Sequence, residues 1–236
     1  MEPPVSPDEL ALAGPEHLDP GYVATYERKT GFDPEDAEYE LEVLEAHGFG
    51  PDSTLIDFGA GTGWFAIAAA ARCRRVVALD VSPAMVAAIE LRAAEEHVPN
   101  VEIVQAGLLS YEHTGEPADF AYCRNVLHHL PDYWKALALA RIAAILRPRG
   151  LLLLRDIVFS FDPGEADEHI GAWLDGAPAS PDEGWTRAEL ETHVREEFST
   201  FSWLLEPMLE RTGFAIDSVD YGRRGIFAEY VCLKRG

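Results

Sequence analysis

Four groups of residues in this 236-residue chain have the types and spacing to do chemistry. The first is Asp57-Phe58-Gly59-Ala60-Gly61-Thr62-Gly63, a carboxylate two residues ahead of three alternating glycines. Glycine serves where backbone must turn sharply or pass close to a ligand, so the run reads as a cradle. The carboxylate ahead of it repels a pyrophosphate and attracts an ammonium group. The second is Asp80, an acid closing an apolar run 17 residues beyond Gly63. The third is Arg124-Asn125-Val126-Leu127-His128-His129-Leu130-Pro131, where an imidazole can move a proton near neutral pH. His128 is expected to face a ligand and His129 to be a loop or cap residue. The fourth is Asp156, a second candidate base, or a structural partner for Arg155 or Arg124. Adjacent histidines without a third ligand at matching spacing do not make a metal site, and none is expected.

The positioning elements follow from the apolar pattern. Residues 54–58 read as a buried strand, and the Ala-rich run from 64 to about 72 as the helix that leaves the glycine turn. Further strands are predicted over 75–80, 101–104, 119–123 and 151–154, with helices beginning at Ser82-Pro83 and spanning 132–146. Strands that are apolar throughout and alternate with amphipathic helices indicate a parallel sheet covered on both faces. The chemical residues then fall at or just past the carboxyl ends of strands, where open sheets of this kind bind ligands.

Before the first strand, residues 1–20 are an irregular, Pro-containing lead-in. Tyr22 and Tyr26 are four apart and share a helix face. Asp33-Pro34-Glu35-Asp36 opens a helix that runs to Gly48. After the fifth strand, residues 159–200 hold Phe161, Trp173, Trp185 and Phe198 among acids, with His169 and His193. This stretch is longer than an ordinary connection. Thr186-Arg187-Ala188-Glu189 is a capping box, and Pro207 is expected in the first turn of another helix. Residues 214–219 and 226–233 are strands whose connection is too short for a crossover, so they pair antiparallel. The organisation expected is an N-terminal helical extension or lid over 1–50, a ligand-binding core over 51–158, a lid or specificity insertion over 159–200, and the rest of the core sheet over 201–236.

The formal charge is −22, and it is concentrated: 13 acids against 2 bases in residues 1–50, and 11 against 2 in residues 161–200. Nucleic-acid affinity is mostly phosphate neutralisation by Lys and Arg, so a DNA or RNA partner is disfavoured. Cys73, Cys123 and Cys232 form no CxxC pair and read as small core residues. No window approaches the roughly 18 apolar residues of a spanning helix, and Met1-Glu2-Pro3-Pro4 lacks a signal-peptide core. A soluble, cytoplasmic protein without a membrane partner is expected.

The Asp57-x-Gly59-x-Gly61-x-Gly63 run resembles the cofactor loop of class I S-adenosylmethionine (SAM)-dependent methyltransferases, with likeness extending over roughly residues 20–236. The resemblance implies an α/β fold with a seven-stranded, mostly parallel sheet, a C-terminal antiparallel hairpin and helices on both faces. It implies that Asp57, Gly59, Ala60, Gly61 and Gly63 surround the methionine part of SAM and that Asp80 holds the ribose. Val81, Met85, Ala106, Gly107 and Leu108 would lie about the adenine, Asn125 and Val126 would line the methionine, and Tyr22 and Tyr26 would cover it. Many family members read the adenine amino group with an aspartate where this chain has Gly107. The implied activity is in-line methyl transfer to an O, N or C atom of a small, neutral or cationic, partly apolar molecule, with His128 or Asp156 as base. Two alternatives stay open: a SAM-binding protein without turnover, and a dinucleotide-dependent oxidoreductase, since Gly61-x-Gly63-x-x-Ala66 also fits the loose dinucleotide pattern.

Overall fold

The computed structural model describes residues 5–14, 21, 23, 26, 29 and 34–236. Its strands are β1 Thr54–Phe58, β2 Arg75–Asp80, β3 Val101–Gln105, β4 Ala118–Arg124, β5 Leu146–Phe159, β6 Thr200–Phe201, β7 Phe214–Tyr221 and β8 Phe227–Lys234. The helices among the described residues are α1 Glu9–Ala13, α2 Pro34–Ala46, α3 Trp64–Ala70, α4 Pro83–Glu95, α5 Asp132–Ile145, α6 Ala166–Asp175, α7 Arg187–Glu196 and α8 Ser202–Arg211. Seven strands form one path in the order β3-β2-β1-β4-β5-β8-β7. The first five are mutually parallel, and β8 runs antiparallel to both β5 and β7. The two-residue β6 pairs parallel with the end of β5. This is the mostly parallel sheet with a C-terminal antiparallel hairpin that the sequence implies.

The central strands are buried on both faces because nearly every residue along them is apolar, and the pleat sends alternate side chains to opposite layers. Leu55, Val76, Ala78, Phe120, Tyr122, Leu151 and Leu153 pack with α2, α3 and Ile89 of α4. Ile56, Val77, Leu79, Ala121, Cys123, Leu152 and Leu154 pack with α5 and with Leu205 and Leu209 of α8. All three cysteines are buried and free. Among the described residues, no helix is long and apolar enough to cross a membrane.

Two expectations differ from what is found. The helix over 132–146 and the strand over 151–154 leave Arg147-Pro148-Arg149-Gly150 between them, but β5 already pairs at Leu146 with Ala118, slips, and resumes at Leu151 with Phe120. The turn residues are absorbed as an irregularity within one 14-residue strand. Pro207 lies inside α8 rather than in its first turn. The helix starts earlier, at Ser202, and the carbonyl deprived of its donor belongs to the exposed Trp203.

An acid on the apolar face of α2 ties that helix to the sheet. Glu40 is fully buried. It accepts the Tyr122 hydroxyl, the Arg124 guanidinium at 3.1 Å and the Arg155 guanidinium at 3.2 Å. Removing one member of a buried ion pair strands its partners. Glu40→Ala is therefore expected to cost about 3 kcal/mol of stability, read as a lower urea midpoint with unchanged m-value.

Candidate functional site

The glycine run leaves β1 in a succession of left-handed residues, Gly59 at φ 70°, Gly61 at 55° and Gly63 at 85°. Each serves a different purpose. A Cβ on Gly59 would overlap the Val126 side chain, and one on Gly63 would press on Ile89 at 3.1 Å, whereas at Gly61 it would meet only Tyr26 at 3.6 Å. Gly59 and Gly61 line a cleft. Gly63 instead caps α3 and lets it sit on α4. Ala60 is fixed by its N–H to Leu79 O at 2.8 Å and, like Gly63, is not part of the cleft wall.

Asp80 ends β2 beside the loop. Its Oδ2 accepts Gly61 N–H at 2.9 Å and its Oδ1 accepts Ser82 N–H at 2.8 Å. Ser82 in turn caps α4 through Met85 N–H. Burial pushes the Asp80 carboxyl up to about 6 against the pull of these backbone donors. Val81, Met85, Ala106, Gly107 and Leu108 continue the cleft wall, and Asn125 and Val126 close it from the far side. Asn125 holds a left-handed φ of 54°, and its N–H is tied to Arg155 O at 2.8 Å. Tyr26 lies over the loop; Tyr22 lies outside the described residues.

Asp57 sits beneath the loop, buried, and outside the cleft wall. Its Oδ2 accepts no hydrogen bond. Burial first, then the nearby Asp80 and Glu40 carboxylates, hold its pKa well above the usual range. A buried acceptor without a partner, surrounded by further acids, fits a cationic group on the far side of the loop better than a diphosphate.

Beyond Asn125 a second cavity opens, with a volume of about 750 Å³. Tyr26, Arg124, Asn125 and His129 line both spaces, so the two adjoin. The wider cavity is walled by Trp173 of α6, Leu190 and His193 of α7, Trp185, Phe227 and Ile157. Of the four aromatics of the insertion, Trp173 and Trp185 line it. Phe161 instead stacks on His169 with ring centres 4.5 Å apart, and Phe198 is exposed.

His128 and Asp156, separate candidates in the sequence, form one pair. His128 Nδ1 is 2.5 Å from Asp156 Oδ1. Asp156 Oδ2 also accepts the Leu127 and His128 N–H groups at 2.7 and 3.2 Å. Neither neighbouring arginine takes Asp156; both go to Glu40. The other side of the ring meets Glu197, whose Oε2 stands 3.0 Å from His128 Nε2, 3.1 Å from His193 Nδ1 and 3.3 Å from His129 Nδ1. Burial alone would lower the His128 pKa, but Asp156 and then Glu197 raise it to about 9. Burial would likewise raise the two acids, yet the imidazoles hold both Asp156 and Glu197 below their usual values. His129 is also drawn in, contrary to a mere cap role, because the short 3₁₀ turn Leu127–His129 lets both rings reach Glu197. His128, His193 and Glu197 bring ligand atoms within 4.8 Å of one another, a spacing open to a divalent cation. An imidazolium at His128 already stands between the Asp156 and Glu197 carboxylates.

Residues 55–150 match the methyltransferase domain family. Over those residues the chain is similar to methyltransferase domains, and its sheet order is that of the class I methyltransferase fold. An uncharacterised methyltransferase of Bacillus subtilis, YcgJ, is 30% identical over 109 residues, which cover 46% of this chain and 42% of that protein. The chain spans about half the length of the curated relatives it matches. Among solved structures, the [4+2]-cyclase SpnF superposes with TM-score 0.69 and 16% identity over 99% of this chain and 98% of that one. The magnesium protoporphyrin IX methyltransferase of Synechocystis PCC 6803, solved with SAM, gives 0.66 and 16% over 98% and 100%. At such identities these two likenesses concern the fold.

Glu9, Glu40 and Glu197 had no role in the sequence reading, and Arg124 and Leu130 were named there without a place on the cleft wall. Glu40 had a signal, an acid on the helix face of Ala37, Leu41 and Leu44. Glu197 had only its four-residue spacing from His193. The network gives a pH dependence. His128 is held above its unfolded value near 6.5, so its contribution to stability is complete below that pH and is lost as pH rises through about 9. Glu197→Gln removes one carboxylate partner, so the His128 titration seen by NMR is expected to move down in pH. The alkaline loss of stability should begin earlier in that variant.

Proposed function

We propose that this protein transfers a methyl group from SAM to an O, N or C atom of a small molecule held in the wide cavity. The observation that carries this reading is the junction of two spaces through one shared wall at the carboxyl ends of β1, β2 and β4. The narrow cleft offers what an adenosyl sulfonium requires. Asp80 presents a carboxylate to the ribose hydroxyls, Gly59 and Gly61 admit close backbone approach, and Asp57, whose Oδ2 accepts no hydrogen bond, lies under the amino acid end, where a nearby ammonium group would favour its ionised form. A dinucleotide would set its diphosphate over that same buried acid. SAM supplies the methyl group as an electrophile; the chain aligns acceptor, methyl carbon and sulfur and keeps water out.

The acceptor is neutral or cationic and partly apolar. Each described cation of the cavity wall is already ion-paired: Lys29 with Glu189, Arg124 with Asp36 and Glu40, Arg155 with Glu40. An anionic acceptor would have to displace one of those carboxylates, while Trp173, Trp185 and Phe227 offer apolar surface. Residues 159–200 act as the specificity lid and residues 1–50 as a second cover. His128, oriented by Asp156 through Nδ1, takes the acceptor's proton at Nε2 once the acceptor stands in place of Glu197. Because His128 is charged below about 9, only a small fraction is basic at neutral pH, and transfer to a protonated oxygen or nitrogen speeds up toward that pH. A fold shared with a [4+2]-cyclase makes methyl transfer itself the quantity to measure.

Calorimetry with SAM, S-adenosylhomocysteine and NAD is expected to give heat with the first two ligands alone. Asp80→Ala should weaken the adenosyl ligands about tenfold, the loss of one charged hydrogen-bonding group. Their affinity should also rise as pH increases through about 6, where Asp80 ionises. Binding of NAD in place of the sulfonium ligands would overturn the reading. With an acceptor found by screening, turnover should survive dialysis against EDTA. Loss of turnover, with recovery on adding Zn²⁺, would instead make His128, His193 and Glu197 metal ligands.

A further inference from the structure

A part of the cleft not shared with the acceptor cavity is lined by Val81, Ala106, Gly107 and Leu108 together with Glu9 of α1. Nearly a hundred positions separate this acid from the loop it joins. Its Oε1 accepts Leu109 N–H at 3.0 Å, and its Oε2 accepts Ser110 N–H at 2.9 Å and the Ser110 hydroxyl at 2.8 Å. Gly107 makes the room. A Cβ there would stand 2.6 Å from Glu9 Cδ and 2.7 Å from Val81 Cγ1, so any side chain at 107 would evict the carboxylate. The loop after β3 thus lacks an acid of its own, and one arrives in the same space from the N-terminal helix.

An ionised carboxylate only accepts hydrogen bonds, at about four lone-pair positions. Three are used by Leu109 and Ser110. The remaining one belongs to a carboxylate on the cleft wall, between the apolar Val81 and Leu108. A flat heteroaromatic ring between those two side chains would bring its edge to Glu9. An exocyclic amino group there donates; a carbonyl there sets two acceptors against each other.

We infer that Glu9 is the residue that reads the exocyclic amino group of the cofactor's purine, so that helix α1 belongs to the cofactor site and selects 6-amino over 6-oxo purines. This rests on the methyltransferase reading above. Glu9 is a specificity residue; it takes no part in the transfer itself.

The test compares S-adenosylhomocysteine with S-inosylhomocysteine, its 6-oxo counterpart, by calorimetry on the wild-type chain, on Glu9→Gln and on Ser110→Ala. The wild type should prefer the amino ligand by at least about tenfold. Glu9→Gln should bind the amino ligand several-fold more weakly and lose most of the preference, because an amide can turn its NH₂ toward the carbonyl. Ser110→Ala loosens the same clasp yet leaves the carboxylate, so it should keep the preference. If Glu9 only fastens α1 to the loop, both variants will weaken both ligands alike with an unchanged ratio, and the inference is wrong. If the wild type binds neither nucleoside, the cofactor assignment itself is what fails.

Discussion

One carboxylate, that of Asp80, holds the frame of the cleft. It ends β2, takes the N–H of Gly61 from the loop after β1, and takes the N–H of Ser82 at the start of α4. Three elements meet at a group whose charged form is opposed by its burial and favoured by those donors. The loop could satisfy its own N–H groups in many conformations. Asp80 selects the one in which Gly59 and Gly61 face the opening.

A second set of charges fastens the other cavity. Glu197 follows α7, in the acidic stretch after β5, and meets His128, His129 and His193. Behind His128, Asp156 is locked by backbone donors from Leu127 and Ile157. Phe198 N–H adds a bond to His128 O at 2.9 Å. The insertion is therefore clamped to the core at the residue proposed to accept the proton. Order in the insertion and protonation of His128 are linked by that clamp.

Much of the architecture was legible because it rests on local periodicity. Runs such as Leu151-Leu152-Leu153-Leu154 can only be central strands, and the short link between the last two strands forces them antiparallel. The glycine spacing and the strand-end acid Asp80 were visible for the same reason. What escaped notice depends on long-range encounters. Nothing within the lead-in marks Glu9 as a partner of Ser110, and nothing near Asp156 marks it for His128 rather than Arg155. Pro207 misled because the start of α8 is set by packing of Leu205 and Leu209 into the core rather than by the proline.

The chain ahead of β1 contributes to both spaces: Glu9 to the narrow one, Tyr26 to both, Lys29 and Asp36 to the wide one. A ligand that displaces Tyr26 on entering either space also alters the wall of the other. Whatever one guest does to the affinity of the other through that shared wall, the second must do to the first by the same factor.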